Sequence, residues 1–125
     1  MKKHLWTILY AGWLAAVIVL SLVPSPPEIS IGLLSWDKIQ HAGAYGLMTI
    51  LGGLGLCHFI RSGRCWPASA AIALLVGILL EGAQGLMNIG RSADLQDWAA
   101  DAVGAASALF LVVFVRFYRS RSSGH

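Results

Sequence analysis

Apolar residues fall into four long runs, at residues 5–23, 39–60, 67–87 and 98–118, divided by short polar or turn-forming stretches. The dividers are Pro24-Ser25-Pro26-Pro27, Arg61-Ser62-Gly63-Arg64 and Asn88-Ile89-Gly90-Arg91. At ~1.5 Å per residue each run is long enough to cross a hydrocarbon layer of ~30 Å. Helices are the expected element, because an open strand leaves its backbone polar groups unsatisfied in lipid. The pattern therefore predicts one all-α domain spanning residues 1–125, an integral membrane four-helix bundle. Residues 28–36 (EISIGLLSW), short and apolar with polar ends, are expected to lie along the interface, with Trp36 as anchor.

Composition agrees. Of 125 residues, 57% are apolar and 12% charged, with a mean hydropathy of +0.69. Soluble domains carry about twice that charged fraction, so a disordered tail, a collagen-like repeat and a small disulfide scaffold are excluded, and the composition argues against an ordinary soluble enzyme. The basic residues give a direction. Lys2, Lys3, Arg61, Arg64, Arg116, Arg119 and Arg121 would share one side, against Lys38 and Arg91 on the other. That bias predicts both termini in the cytoplasm, N-in/C-in, with the chain multi-pass in the plasma (inner) membrane. Anionic lipid accounts for the net charge of +3 without nucleic acid. Residues 1–27 have the basic start and apolar run of a secretory signal. The run is longer than a usual signal core and lacks a good cleavage site, so a retained helix is expected. Trp6, Trp36, Trp66 and Trp98 fall near helix ends, as interfacial aromatics do, whereas Trp13 does not.

Cys57 and Cys65 are expected to be free thiols near the cytoplasmic face. With His58 they match no zinc spacing. Small residues (Ala42/Gly46, Gly52/Gly55, Gly82/Gly85, Ala102/Ala106) are expected to let the helices approach closely.

Polar residues gather on the outer side. Asp37, His41 and Tyr45 are spaced by four and share a face of the second helix. Glu81, Gln84 and Asn88 sit near the outer end of the third, Arg91, Asp94 and Asp97 in the following loop, and Asp97 and Asp101 at the start of the fourth. Glu81 lies roughly 9 Å inside its helix end. An ionised carboxylate near mid-bilayer costs on the order of 3 kcal/mol, and intramembrane ionisable groups mark functional sites by default. The competing reading is a buried network, such as Glu81 with Arg91 or His41, that only fixes helix register. Three roles follow from residue type. His41, Glu81 and Asp97 are candidates for proton transfer or catalysis. Asp37, Tyr45, Gln84, Arg91, Asp94 and Asp101 are candidates for binding, with Arg91 suited to an anionic headgroup. His41, Glu81, Asp97 and Asp101 are also candidate ligands for a divalent metal that would clamp a phosphate. No phosphate loop, zincin helix or nucleophile elbow is present, and covalent catalysis is not expected.

The stretch Asp37-Lys38-Ile39-Gln40-His41-Ala42-Gly43-Ala44-Tyr45 resembles the D-K-x-x-H-x-x-x-Y signature of VanZ-like membrane proteins. Glu81-Gly82-Ala83-Gln84 is similar to that family's E-x-x-Q, and Arg91, Asp94 and Asp97 to its R-x-x-D-x-x-D. Ser21 to Pro24 (SLVP) and the pair Gly104-Ala105 also match, so the resemblance covers nearly the whole chain in order. Asp101 stands where the family usually has Asn. The resemblance implies a four-helix cell-membrane protein. The family's founding member lowers susceptibility to the glycopeptide teicoplanin, a role not carried over automatically.

The expected function is binding or processing of an envelope lipid or amphiphile headgroup at the outer leaflet. Membrane lipids and a lipid-linked envelope intermediate are the expected partners. The alternative is a non-catalytic accessory subunit of an envelope complex, its polar cluster fixing helix packing. Neither turnover nor oligomeric state is legible in the sequence.

Overall fold

The computed structural model describes residues 2–24, 36–88 and 93–124. Its elements are four helices: α1 (Lys2–Leu22), α2 (Trp36–Leu56), α3 (Ser62–Met87) and α4 (Leu95–Ser122). α1, α3 and α4 are long and apolar enough to cross a membrane. α2 matches them in position but not in hydropathy, because its first two turns hold Asp37, Lys38, Gln40 and His41. The expected interfacial segment 28–36 lies outside the described residues, apart from the helical backbone of Trp36.

The ends of the helices have local causes. α1 stops at Leu22, two residues before Pro24, whose ring disfavours helical geometry in the residue preceding it. α3 starts at Ser62, five residues earlier than expected. Pro67 lies in its second turn, where it removes only the bond to the Gly63 carbonyl beside the helix start. Asn88 closes α3 in the left-handed region, φ 49°, which Asn tolerates better than most residues. It is thus a helix terminator and does not join Glu81 and Gln84 on one face. Asp94 caps α4, accepting from the Gln96 backbone N–H at 2.8 Å. Arg119 and Arg121 in the last turn of α4 complement its dipole, and the Arg121 guanidinium sits 4.5 Å over the Phe117 ring.

Consecutive helices run antiparallel. α2 packs against all three others, α3 touches both α1 and α4, and α1 and α4 are not in contact among the described residues. The core between them comprises Val17, Tyr45, Met48, Ala73, Leu80 and Ala105. Trp13 is an inward tie: its indole N–H donates to the Ala44 carbonyl of α2 at 3.0 Å. Trp66 and Trp98 also turn inward, Trp66 against Gly53 and Trp98 towards Gly77. Large side chains such as Ile8, Leu20, Leu79, Phe110 and Phe114 form an exposed apolar girdle.

Close approach depends on particular small residues. A Cβ on Gly104 would overlap the Ala42 carbonyl, and one on Gly46 would meet the Gly104 carbonyl oxygen at 3.2 Å. The α2 and α4 backbones therefore touch at Ala42, Gly46 and Gly104. Gly52 nests against Ser69 and Tyr10, and Gly55 against Thr7. Two expected pairs are corrected. Gly82 faces open space, and α4 buries Gly104, Ala105 and Ala108 while Ala106 is exposed. The thiols are corrected too. Cys57 and Cys65 form a disulfide across the α2–α3 turn, their Cα atoms 5.1 Å apart, a separation the hairpin imposes and a disulfide requires.

The packing yields a graded prediction for circular-dichroism melting in mild detergent. Gly104→Ala should destabilise the fold by about 2 kcal/mol or more, because the obstruction is backbone. Gly43→Ala meets nothing within 4 Å and should leave stability unchanged or raise it by up to ~1 kcal/mol. Equal effects at both positions would rule out the close α2–α4 crossing.

Candidate functional site

The ends of α1 and α3 and the starts of α2 and α4 meet at one end of the bundle, and there the ionisable residues converge. Asp37, Lys38 and His41 come from the first two turns of α2, Asp97 and Asp101 from the first two of α4, Glu81 from α3, and Asp94 from the cap of α4. Helical spacing places Asp37 and His41, and likewise Asp97 and Asp101, one turn apart on shared faces. The Ala42–Gly104 crossing brings those two faces together.

Lys38 occupies the centre. It is only 4% exposed. Its ammonium donates to Asp94 Oδ2 at 2.9 Å and to Asp97 Oδ1, and lies 3.7 Å from Asp37 Oδ2. Lys38 is the residue that sequence reasoning missed. It was counted as an outer charge and as part of a signature, although a lone Lys between Asp37 and His41 in a chain this poor in charge was itself a signal. The Lys38 ammonium beside Asp94 holds that carboxyl below the usual aspartate range.

Beside it, His41 Nδ1 lies 2.8 Å from Asp101 Oδ1. A carboxylate accepts, so the proton of this bond sits on Nδ1, while Nε2 faces two further carboxylates. Nε2 is 4.0 Å from Asp37 Oδ1 and 3.9 Å from Asp97 Oδ2. Asp101 is 1% exposed, and its Oδ2 has no hydrogen-bond partner. That oxygen would lie 2.9 Å from a Cβ on Gly77, as Tyr45 Cε1 would at 3.3 Å and Trp98 Cδ1 at 3.4 Å. A glycine at 77 is therefore what admits the three side chains. The Trp98 indole N–H is also buried and unpartnered. Tyr45 is buried with its ring parallel to that of His41, centroids 6.4 Å apart.

The remaining candidates divide. Glu81, nearly buried, accepts the Asp94 backbone N–H at 2.8 Å and so holds the start of α4 against α3. It borders a wide-open apolar cavity of about 470 Å³ lined by Ile78, Glu81, Ala93, Asp94, Leu95 and Trp98, of which Ile78 and Leu95 are exposed. Gln84 turns towards α1 and donates to the Ser21 carbonyl at 2.7 Å. It thereby satisfies one of the orphan acceptors of the last α1 turn, which is a structural task. Arg91 lies outside the described residues. Among the described residues, Asp37, His41 and Asp97 offer ligand atoms within 4.8 Å of one another. Glu81 and Asp101 are not in that group. In the other half of the bundle, Ser69 donates to the Thr49 carbonyl at 2.7 Å.

The site thus combines an imidazole oriented by a buried carboxylate, a lysine held by acids, and a carboxylate-edged apolar cavity. No family model matches the chain, and no curated protein or solved structure matches it either.

The depressed Asp94 pKa makes an acid-side prediction. A carboxyl whose folded pKa lies below its unfolded value stabilises the fold above the unfolded value, ~3.9 for aspartate, and loses that contribution as pH falls through the folded value. Melting temperatures of the native chain should therefore drop as pH falls from about 5 towards 3, and Asp94→Asn should flatten that slope while lowering stability at pH 7. An unchanged slope in the variant would show that Lys38 does not act on Asp94.

Proposed function

We propose that the chain is an integral membrane protein of the VanZ-like kind whose polar end binds the headgroup of an envelope lipid or amphiphile. Asp37, His41 and Asp97 contact the headgroup region, with Lys38 and Asp101 holding them in place, and the Glu81-bordered cavity takes the adjoining apolar part. The observation that carries this is the convergence of ionisable groups from three helices beside an apolar cavity of about 470 Å³, a volume within the range of small-molecule sites. The order of the D-K-x-x-H-x-x-x-Y, E-x-x-Q and R-x-x-D-x-x-D stretches supports the family reading. The His41–Asp101 pair supplies a proton-handling group, so turnover of the bound headgroup is chemically open to this site. The glycopeptide susceptibility implied by the resemblance would follow from the availability of such a headgroup.

All four helices then span the plasma (inner) membrane, with both termini cytoplasmic and the polar end in the outer leaflet. The seven-to-two distribution of Lys and Arg supports that direction. The Cys57–Cys65 pair weighs against it, because disulfides persist in oxidising compartments. Loop charge carries more weight, since the α2–α3 hairpin brings the two sulfurs together in either redox state.

A second reading has its own observation. The Lys38 ion pairs tie α2 to α4, as they would in an accessory subunit whose cluster only fixes packing. Native mass spectrometry of the chain extracted from its own membrane in mild detergent separates the two. The wild type should carry an amphiphile mass, and Glu81→Gln should lose at least nine-tenths of it while keeping its helical circular dichroism. A bare mass in the wild type, or equal loading of both proteins, would overturn headgroup binding in favour of the packing role.

A further inference from the structure

We propose that Asp37, His41 and Asp97 form a binding site for one divalent cation of the zinc or manganese class, with Asp101 as the residue that positions His41. The inference begins with how Lys38 divides the carboxylate oxygens. Its ammonium lies against Asp37 Oδ2 and Asp97 Oδ1. The opposite oxygens, Asp37 Oδ1 and Asp97 Oδ2, are the ones that face His41 Nε2, at 4.0 and 3.9 Å. Three ligand atoms from two helices thus surround one point, and all lie within 4.8 Å of one another.

Three atoms bound to one cation at ~2.1 Å in a tetrahedral array lie ~3.4 Å apart. Closing the site therefore takes inward movements of about 1 Å. Asp37, a third exposed, is the side chain with room to move.

A second observation points to a cation. Asp101 is 99% buried and aims its carboxylate at His41, yet Oδ2 has no partner. A buried carboxylate needs compensating positive charge, and a cation on Nε2 would supply it through the bonded ring. Metal-bound histidines usually donate their other ring N–H to a carboxylate, which fixes the tautomer that leaves Nε2 free to ligate. The donor set of one imidazole and two carboxylates selects within the divalent ions. Imidazole disfavours Mg²⁺ and Ca²⁺, and the oxygens disfavour soft thiophilic ions. Three protein ligands also leave positions open for water or a phosphate oxygen.

This site deepens the headgroup reading but stands apart from it, because it is tested with the metal alone. The probe is Zn²⁺, titrated calorimetrically into tag-free, chelator-stripped full-length protein in mild detergent. One ion should bind per chain. Asp37→Asn and His41→Gln should each weaken binding at least tenfold, and Asp101→Asn by about 10–100-fold through loss of the carboxylate that orients His41. Glu81→Gln should leave it unchanged. A measurement on the unaltered chain guards against variants that fail to fold. In ¹⁵N-histidine-labelled wild type, Zn²⁺ should shift Nε2 of one imidazole whose Nδ1 remains protonated. Absence of wild-type binding would overturn the proposal, as would binding that survives in both Asp37→Asn and His41→Gln, or a shift at Nδ1. A wild type that binds Zn²⁺ but carries no amphiphile would overturn the headgroup reading alone.

Discussion

The Lys38 ammonium sits among Asp37 of its own helix and Asp94 and Asp97 at the start of α4, almost wholly out of contact with solvent. Desolvating an ammonium costs several kcal/mol unless acids and good geometry offset it. Three carboxylates from two elements do so, and in return the beginnings of α2 and α4 are held in one register. Everything else at this end depends on that register. It decides which oxygens of Asp37 and Asp97 remain for His41, and it sets Asp101 at hydrogen-bonding distance from Nδ1.

Electrostatic attraction alone would not bring the two helices close enough. The contact of Gly104 with the Ala42 carbonyl, reinforced by Gly46, lets the backbones touch one turn below the acids. Apolar burial contributes little to helix association inside a lipid bilayer, so small residues and polar ties carry that task. Trp13 on Ala44 and Gln84 on Ser21 fasten α1 in the same manner. The result is asymmetric. One end is polar and tightly linked, and the other is closed by the Cys57–Cys65 hairpin and the Ser69–Thr49 bond.

The helices were legible because apolar runs divided by Pro and polar turns have one physical solution in lipid. Their limits were less so. Pro67 was read as a start, although proline near a helix start removes only one bond. Asp37, His41, Asp97 and Asp101 were identified as neighbours because a four-residue spacing fixes a shared face on each helix. Which atoms would meet across helices was not encoded in spacing. It depends on the crossing point at Gly104, so Lys38 went unseen as the hub and Gln84 was assigned to a site it does not enter. Cys57 and Cys65 were judged by compartment, whereas the hairpin between them acts through proximity.

The most direct test is a double-mutant cycle on Lys38 and Asp97, using Lys38→Met, Asp97→Asn and the pair, with stability read by reversible unfolding in mild detergent. Residues in one buried ion network couple by 0.5–3 kcal/mol, roughly, whereas independent sites add. Lys38 as the hub predicts a coupling of about 2 kcal/mol, with the pair much less destabilised than the sum of the single changes. Additivity within about 0.3 kcal/mol would mean the two groups do not act on each other, and the organisation of the site around Lys38 would be wrong.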